Sequence, residues 1–261
     1  MKKIINLLFT LLALTTSIVA SAQTEKPELI TDRPDQTEAP NLVPQGGLQV
    51  ETGFVYEKDS DQGLTTKNFT YNTTLIKYGV NEHLELRFIS EYLGVDTQVS
   101  ESQAYKVKGF SPLALGVKIK LADEKGFWPQ AAMIGHINLR TGSEEFKPEN
   151  TAVDFRFTFA HTLSNKFALS YNLGAEWDSE SPGATYTYTL SLAYVITDKL
   201  GVFVESYSFF PEYGKADNRA DAGFTYKFSP VVQWDISGGI GLSKNAPDSF
   251  LSTGISFRLF K

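Results

Sequence analysis

The chain has no cysteine and only three histidines and two methionines among its 261 residues. Without cysteine there is no disulfide framework, no thiolate metal site and no lipid-anchored leader. No run of eighteen apolar residues follows residue 22, so no helix of this sequence is expected to cross a bilayer. A basic stripe is missing too. The formal charge is −6, and Lys2 and Lys3 are the only charges before residue 23, which leaves 22 basic against 30 acidic residues beyond it. That balance excludes a nucleic-acid partner. None of these absences excludes a membrane barrel, whose apolar surface sits on every second residue and escapes hydropathy averages.

The first 22 residues read as a secretory signal peptide. Met1-Lys2-Lys3 is the charged start, Ile4 to Ala20 an apolar run broken by threonines, and Ala20 and Ala22 the small residues before a cleavage site at Gln23. Residues 23–47 form an irregular arm rich in proline and acid. Pro27, Pro34, Pro40 and Pro44 withhold ladder hydrogen bonds and bias their predecessors towards extended conformations.

From Leu48 the pattern alternates. In "ATYTYTLSLAY", Tyr186, Tyr188, Leu190, Leu192 and Tyr194 share one face, and Thr185, Thr187, Thr189 and Ser191 the other. Twelve such strands are expected within residues 48–261: Leu48–Lys58, Asn68–Val80, Leu84–Leu93, Pro112–Leu121, Trp128–Arg140, Ala152–Thr162, Phe167–Trp177, Ala184–Tyr194, Leu200–Phe210, Asp221–Phe228, Val231–Leu242 and Phe250–Phe260. In the second, Leu75 is placed on the apolar face with Phe69 and Tyr71. Short links such as "NEH", "LSNK", "TDK" and "SP" alternate strictly with longer polar ones such as "DSDQGLTT", "GVDTQVSESQAYKVKG" and "PEYGKADNR".

An even strand count, short turns at one end and longer loops at the other are the organisation of an outer-membrane barrel. The strands exceed the five or six residues usual in a soluble sandwich and approach the 9–11 needed to cross the hydrocarbon at a tilt. Aromatics near strand ends, Tyr56, Tyr92, Trp177 and Tyr194, suit interfacial girdles. The expected fold is therefore all-β: a closed antiparallel transmembrane β-barrel of about twelve strands, with short periplasmic turns and longer extracellular loops. The tyrosines of the quoted strand then face lipid and its threonines the lumen.

The polar faces place Glu51, Glu85, Glu91, Asp154, Glu176, Glu205, Asp221 and Asp235 in the lumen with Arg87, Lys118, Lys120, Arg140, Arg156, Lys227 and Arg258. Gln233 and His136 join them. These groups either line a selective passage or pair across the interior and hold its shape, and the near-balance of signs favours pairing. Phe203 and Tyr207 share the inner face with Glu205 and offer a partly apolar route. The arm carries Asp32, Arg33, Asp35 and Glu38. It is read as a lumen plug, a periplasmic docking segment or an unstructured lead-in, with the charges around Arg33 leaning towards the first.

Catalysis finds no support. His83 falls in a short turn, His136 on the lumen face and His161 on the lipid face, and no serine-nucleophile signature accompanies them. No cofactor is expected, and no His/Cys/Asp/Glu spacing suits a metal.

In order along the chain, "ITDRPDQTEAP", "GGLQVETGFVYE", "LIKYGVNEHLELR", "SPLALGVKIKL", "DAGFTYKFSPVVQWDISGGIGL" and "STGISFRL" resemble the outer-membrane transporter family of the MetA pathway of phenol degradation. The resemblance runs from about Thr31 to the end and implies a small barrel passing hydrophobic or aromatic compounds. The chain finishes "FRLFK", with Lys261 one residue past the terminal aromatic on which many barrels end. The partners implied are outer-membrane lipid, the barrel-assembly machinery and a small-molecule solute. The location is the outer membrane of a Gram-negative bacterium. A plugged barrel with a structural or recognition role is the alternative function.

Overall fold

A computed structural model describes residues 27–61, 63–100, 103–178 and 182–260. The expected leader and Lys261 lie outside the described residues. One antiparallel sheet contains every strand: β1 (Gly47–Asp61), β2 (Leu64–Asn81), β3 (Leu84–Ser100), β4 (Gln103–Phe110), β5 (Ala114–Ala122), β6 (Gln130–Asn138), β7 (Ala152–Thr162), β8 (Phe167–Trp177), β9 (Thr185–Val195), β10 (Leu200–Pro211), β11 (Asp217–Ser229), β12 (Val232–Gly241) and β13 (Ser249–Phe260). Consecutive strands pair throughout, except that β4 and β5 both pair with β3, and β1 pairs with β13, so the sheet closes into a barrel.

The thirteen segments make twelve staves. β4 pairs with the upper part of β3, from Tyr92↔Phe110, and β5 with the lower part, from Ile89↔Ala114. Ser111 to Leu113 interrupt what is otherwise one stave, and Pro112 has no N–H to give to a ladder there. The expected fourth strand, Pro112–Leu121, is thus only the lower half of the real one. Most of the expected loop between Gly94 and Gly109 is a ladder that carries β3 and β4 onward, with Val95 opposite Val107 and Asp96 opposite Lys106. β1 and β2 likewise run almost to their turn, closing at Asp61↔Leu64.

The two faces separate as alternation requires. Leu190 is 46 % exposed on the outside, while its neighbour Thr189 is 1 % exposed towards the interior. β2 departs from simple alternation. Thr70 pairs with Leu93 and Asn72 with Tyr92, so Tyr71 is one residue too many: a β-bulge. Below the bulge the faces exchange. Leu75 turns inward, contrary to expectation, and Lys77 becomes a fully buried lumen residue.

At one end the turns are short. Glu124 in one of them accepts hydrogen bonds from the hydroxyl and the backbone N–H of Thr162, both at 2.7 Å, which hold its carboxyl below the usual range. Two expected lumen residues fall outside the lumen. β6 ends at Asn138, so Arg140 is an exposed loop residue. Lys120 lies near the end of β5, and its ammonium turns to Asp123 in the adjoining turn at 2.5 Å. Both corrections have one cause: a side chain close to a rim reaches solvent, and hydration competes well with an interior partner.

Candidate functional site in the lumen

The arm starts at the short-turn end, where the Leu29 N–H donates to the Pro230 carbonyl at 2.9 Å. It rises to about mid-barrel and returns to Gly47, where β1 begins. An arm interrupted by prolines has free carbonyls and amides that no sheet can satisfy, so the lumen side chains must do so. Glu51 accepts from the backbone N–H groups of Asp32 and Arg33, each at 3.0 Å to Oε2. Glu205 accepts from the Gln36 N–H at 2.7 Å and from the Thr37 hydroxyl. Asn172 brackets Glu38, accepting from its N–H at 2.7 Å and donating to its carbonyl at 2.9 Å. Glu85 takes the Val43 N–H at 2.8 Å. Lower down, Arg258 donates to the Glu28 carbonyl at 3.1 Å, Gln233 to the Thr31 hydroxyl at 2.8 Å, and Lys227 pairs with Glu28.

Asp32 is the hub of this plug. Its carboxylate accepts from Lys77 at 2.8 Å, Arg87 at 3.0 Å and Lys118 at 3.1 Å, all three cations being buried. Lys77 also pairs with Glu51, and Arg87 with Glu38 at 2.7 Å and Glu85 at 3.3 Å. The Arg87 Nε donates to His136 Nε2 at 3.1 Å, and His136 Nδ1 faces Asp154 at 2.9 Å. An imidazole that accepts at Nε2 carries its proton on Nδ1, which is the nitrogen Asp154 can hold. Arg33 turns to the adjoining wall of β12 and β13, 2.9 Å from both Asp235 and Ser252. It fits because its neighbours are glycines: a Cβ on Gly53 would stand 2.7 Å from the Arg33 Cζ, and one on Gly254 2.6 Å.

Removing one partner of a buried charge cluster costs about 3–5 kcal/mol, because the remaining charges stay buried. Asp32→Asn is therefore expected to loosen the docked arm. Amide hydrogen exchange at residues 31–43 should quicken on the order of a hundredfold. Exchange unchanged from the parent would show that docking does not depend on this hub.

Above the plug the lumen differs in character. Tyr207 is buried there, and its ring meets the Phe209 ring edge to face at 5.8 Å, whereas the buried Phe203 lies one inward position below Glu205, beside the arm. The Arg219 guanidinium stands 5.7 Å from the Phe209 ring and binds Glu57 at 2.8 Å and Asp217 at 2.6 Å. Asp35 at the plug tip lies close to Ser191, Glu205 and Asp221. No cation comes within 4 Å of these three carboxyl groups among the described residues. A cavity of about 210 Å³ lies between the plug tip and the β1–β3 wall. Leu75 and Ile89 form its apolar side, with Arg156 and Glu91 among its polar groups. Arg156 donates to the Gln36 carbonyl at 3.3 Å.

Most of the residues expected in the lumen thus meet the arm or the space above it. Lys77, Asn172 and the Arg219 cluster were not among them. Asn172 and Lys77 differ in legibility. Asn172 stands on the polar face of an ordinary strand, whereas Lys77 falls on the wrong face unless the bulge is known. The cost of an unpaired lysine in lipid was the available signal that alternation had slipped.

A closed twelve-stave barrel with an apolar exterior and a charged interior filled from its short-turn end is an outer-membrane barrel carrying an internal plug. The chain belongs to the family described as "Putative MetA-pathway of phenol degradation", which it matches over residues 31–259. Among curated proteins none matches it in sequence. Its fold is similar to the COG4313 outer-membrane channel of Pseudomonas putida F1, with a TM-score of 0.68 at 15 % identity, covering 87 % of this chain and 99 % of that one. It is also similar to the translocator domain of the autotransporter NalP from Neisseria meningitidis, with a TM-score of 0.53 at 13 % identity over 82 % and 89 %. The KdgM porin in complex with oligogalacturonate gives 0.52 at 9 % identity over 80 % and 98 %.

Proposed function

We propose that this chain is a passive outer-membrane channel for small apolar or aromatic solutes, narrowed at rest by its own arm. The observation that carries this reading is the aromatic wall of β10. In a water-filled pore the inward positions of a strand are polar, yet Phe203 stands on the inner side beside the arm, and Tyr207 and Phe209 stand there above it. Aromatic surface with a few placed polar groups is how proteins hold small apolar ligands. Around Asp32 the lumen charges are bound to one another and to the arm, while Asp35, Glu205 and Asp221 are the few polar groups placed beside the aromatic wall. The family description and the channel among the similar folds point the same way. Export by the leader and insertion by the barrel-assembly machinery belong to the same reading.

Replacing Phe203 and Tyr207 together by alanine should change the rate at which phenol crosses proteoliposomes, while the faster migration of the unheated barrel on detergent gels is retained. A second reading, a sealed barrel with a structural role, draws on the density of ion pairs around Asp32. Unchanged flux in the folded variant, together with a parent barrel that conducts nothing, would establish that second reading.

A further inference from the structure

The outward surface of β1–β4 near the long-loop end carries two rows of unlike chemistry. The lower is aromatic. Tyr56 lies against Phe69 at 5.2 Å, Phe69 stacks on Tyr71 at 5.5 Å, and Tyr92 meets Phe110 at 5.1 Å, with Tyr71 6.1 Å from Tyr92. Tyr71 lies across Gly94, where a Cβ would come within 2.6 Å of its ring. The row points away from the lumen, since Tyr56 pairs with the exposed Leu251 while the adjacent Glu57 binds Arg219. It is the aromatic band expected at a membrane interface.

One step higher, about 7 Å along each strand, the same face becomes basic. Lys58 pairs across the strands with Lys67, Lys67 with Asp96, and Asp96 with Lys106. Asp96 binds Lys106 at 2.7 Å. That leaves Lys58 and Lys67 opposed, an arrangement unfavourable in isolation, and neither has an ion pair within 4 Å among the described residues. Lys108 adds a further cation in the aromatic row, 4.7 Å over the Tyr71 ring. So much positive charge on one face is out of keeping with a chain of net charge −6.

We propose that this face binds a phosphorylated glycolipid of the outer leaflet, with acyl chains along the aromatic row and phosphates between Lys58, Lys67 and Lys108. The lipid's chemistry changes from hydrocarbon to phosphate where the protein changes from rings to lysines. Basic clusters beside an apolar membrane surface recognise anionic headgroups in this manner, and a phosphate between Lys58 and Lys67 removes their repulsion. The inference rests on the outer-membrane placement. Co-fractionation of the chain with outer membranes tests that placement separately.

The test is titration of the purified full-length barrel in detergent with bis-phosphorylated lipid A and with its dephosphorylated form. The parent should bind the phosphorylated lipid and lose affinity as salt rises. The variant K58Q/K67Q/K108Q, with its lumen and plug untouched, should bind on the order of a hundredfold more weakly, each lysine near an anionic surface contributing roughly a factor of five. The control K147Q/K215Q/K244Q, changed in other long loops, should bind as the parent does. Equal binding of the two lipids by the parent, or undiminished binding by the first variant, would overturn the proposal.

Discussion

Deleting residues 27–44 raises the single-channel conductance of the barrel in a planar bilayer several-fold. The arm occupies the lower half of the lumen, and no strand depends on it for its ladder. The charges it leaves behind keep partners of their own: Lys77 retains Glu51, and Arg87 retains Glu85 and His136. Lys118, Lys227 and Asp235 lose their ion pairs, but the vacated space fills with water, which hydrates them at far lower cost than a dry interior. The barrel should therefore keep its unheated gel mobility. A deletion variant that is folded yet no more conductive than the parent would show that the constriction lies elsewhere, at the Arg219–Glu57 cluster or among the long loops.

Leu190→Arg in β9 should destabilise the barrel by about 2–4 kcal/mol when refolding is followed in lipid vesicles, since the position is mid-strand on the hydrocarbon side. Thr187→Arg, three residues away along the chain and facing the lumen above the plug, should change stability much less. Its guanidinium projects into a polar interior that already contains Glu205 and Asp221. The comparison keeps strand, charge and side-chain size constant and varies only the face. Equal losses would mean that the inner face is as dry as the outer.

β9 and β10 show how much a residue pattern can determine by itself. The alternation of β9 is unbroken from Thr185 to Val195, and a side-chain period of two assigns every face once one residue is placed. β10 is apolar on both faces, and only Glu205 marks its inner one. That local rule determined the barrel class, the lipid face, the lumen placement of Glu51, Arg87, Lys118, Glu205 and Asp235, and the inward turn of Phe203 and Tyr207. It also set the alternation of short and long connections. It failed where local geometry breaks the period. The bulge at Tyr71 moved Leu75 and Lys77 to the other face, and the interruption at Ser111 to Leu113 hid half a stave inside an apparent loop. Near the rims, the residue pattern could not tell Arg140 and Lys120 from true lumen residues, because water there competes with interior partners.

The plug is the clearest case of what only tertiary structure decided. The sequence shows an arm with acids on both sides of an arginine, and three fates for it stood open. Which one holds depends on Asp235, 202 residues from Arg33, and on Lys77, Arg87 and Lys118 converging on one carboxylate. Alternation states which way a side chain points from its own strand. It carries no information on which strands bring their side chains together inside a closed barrel, and a buried charge is stable only where such partners and hydrogen bonds offset its desolvation.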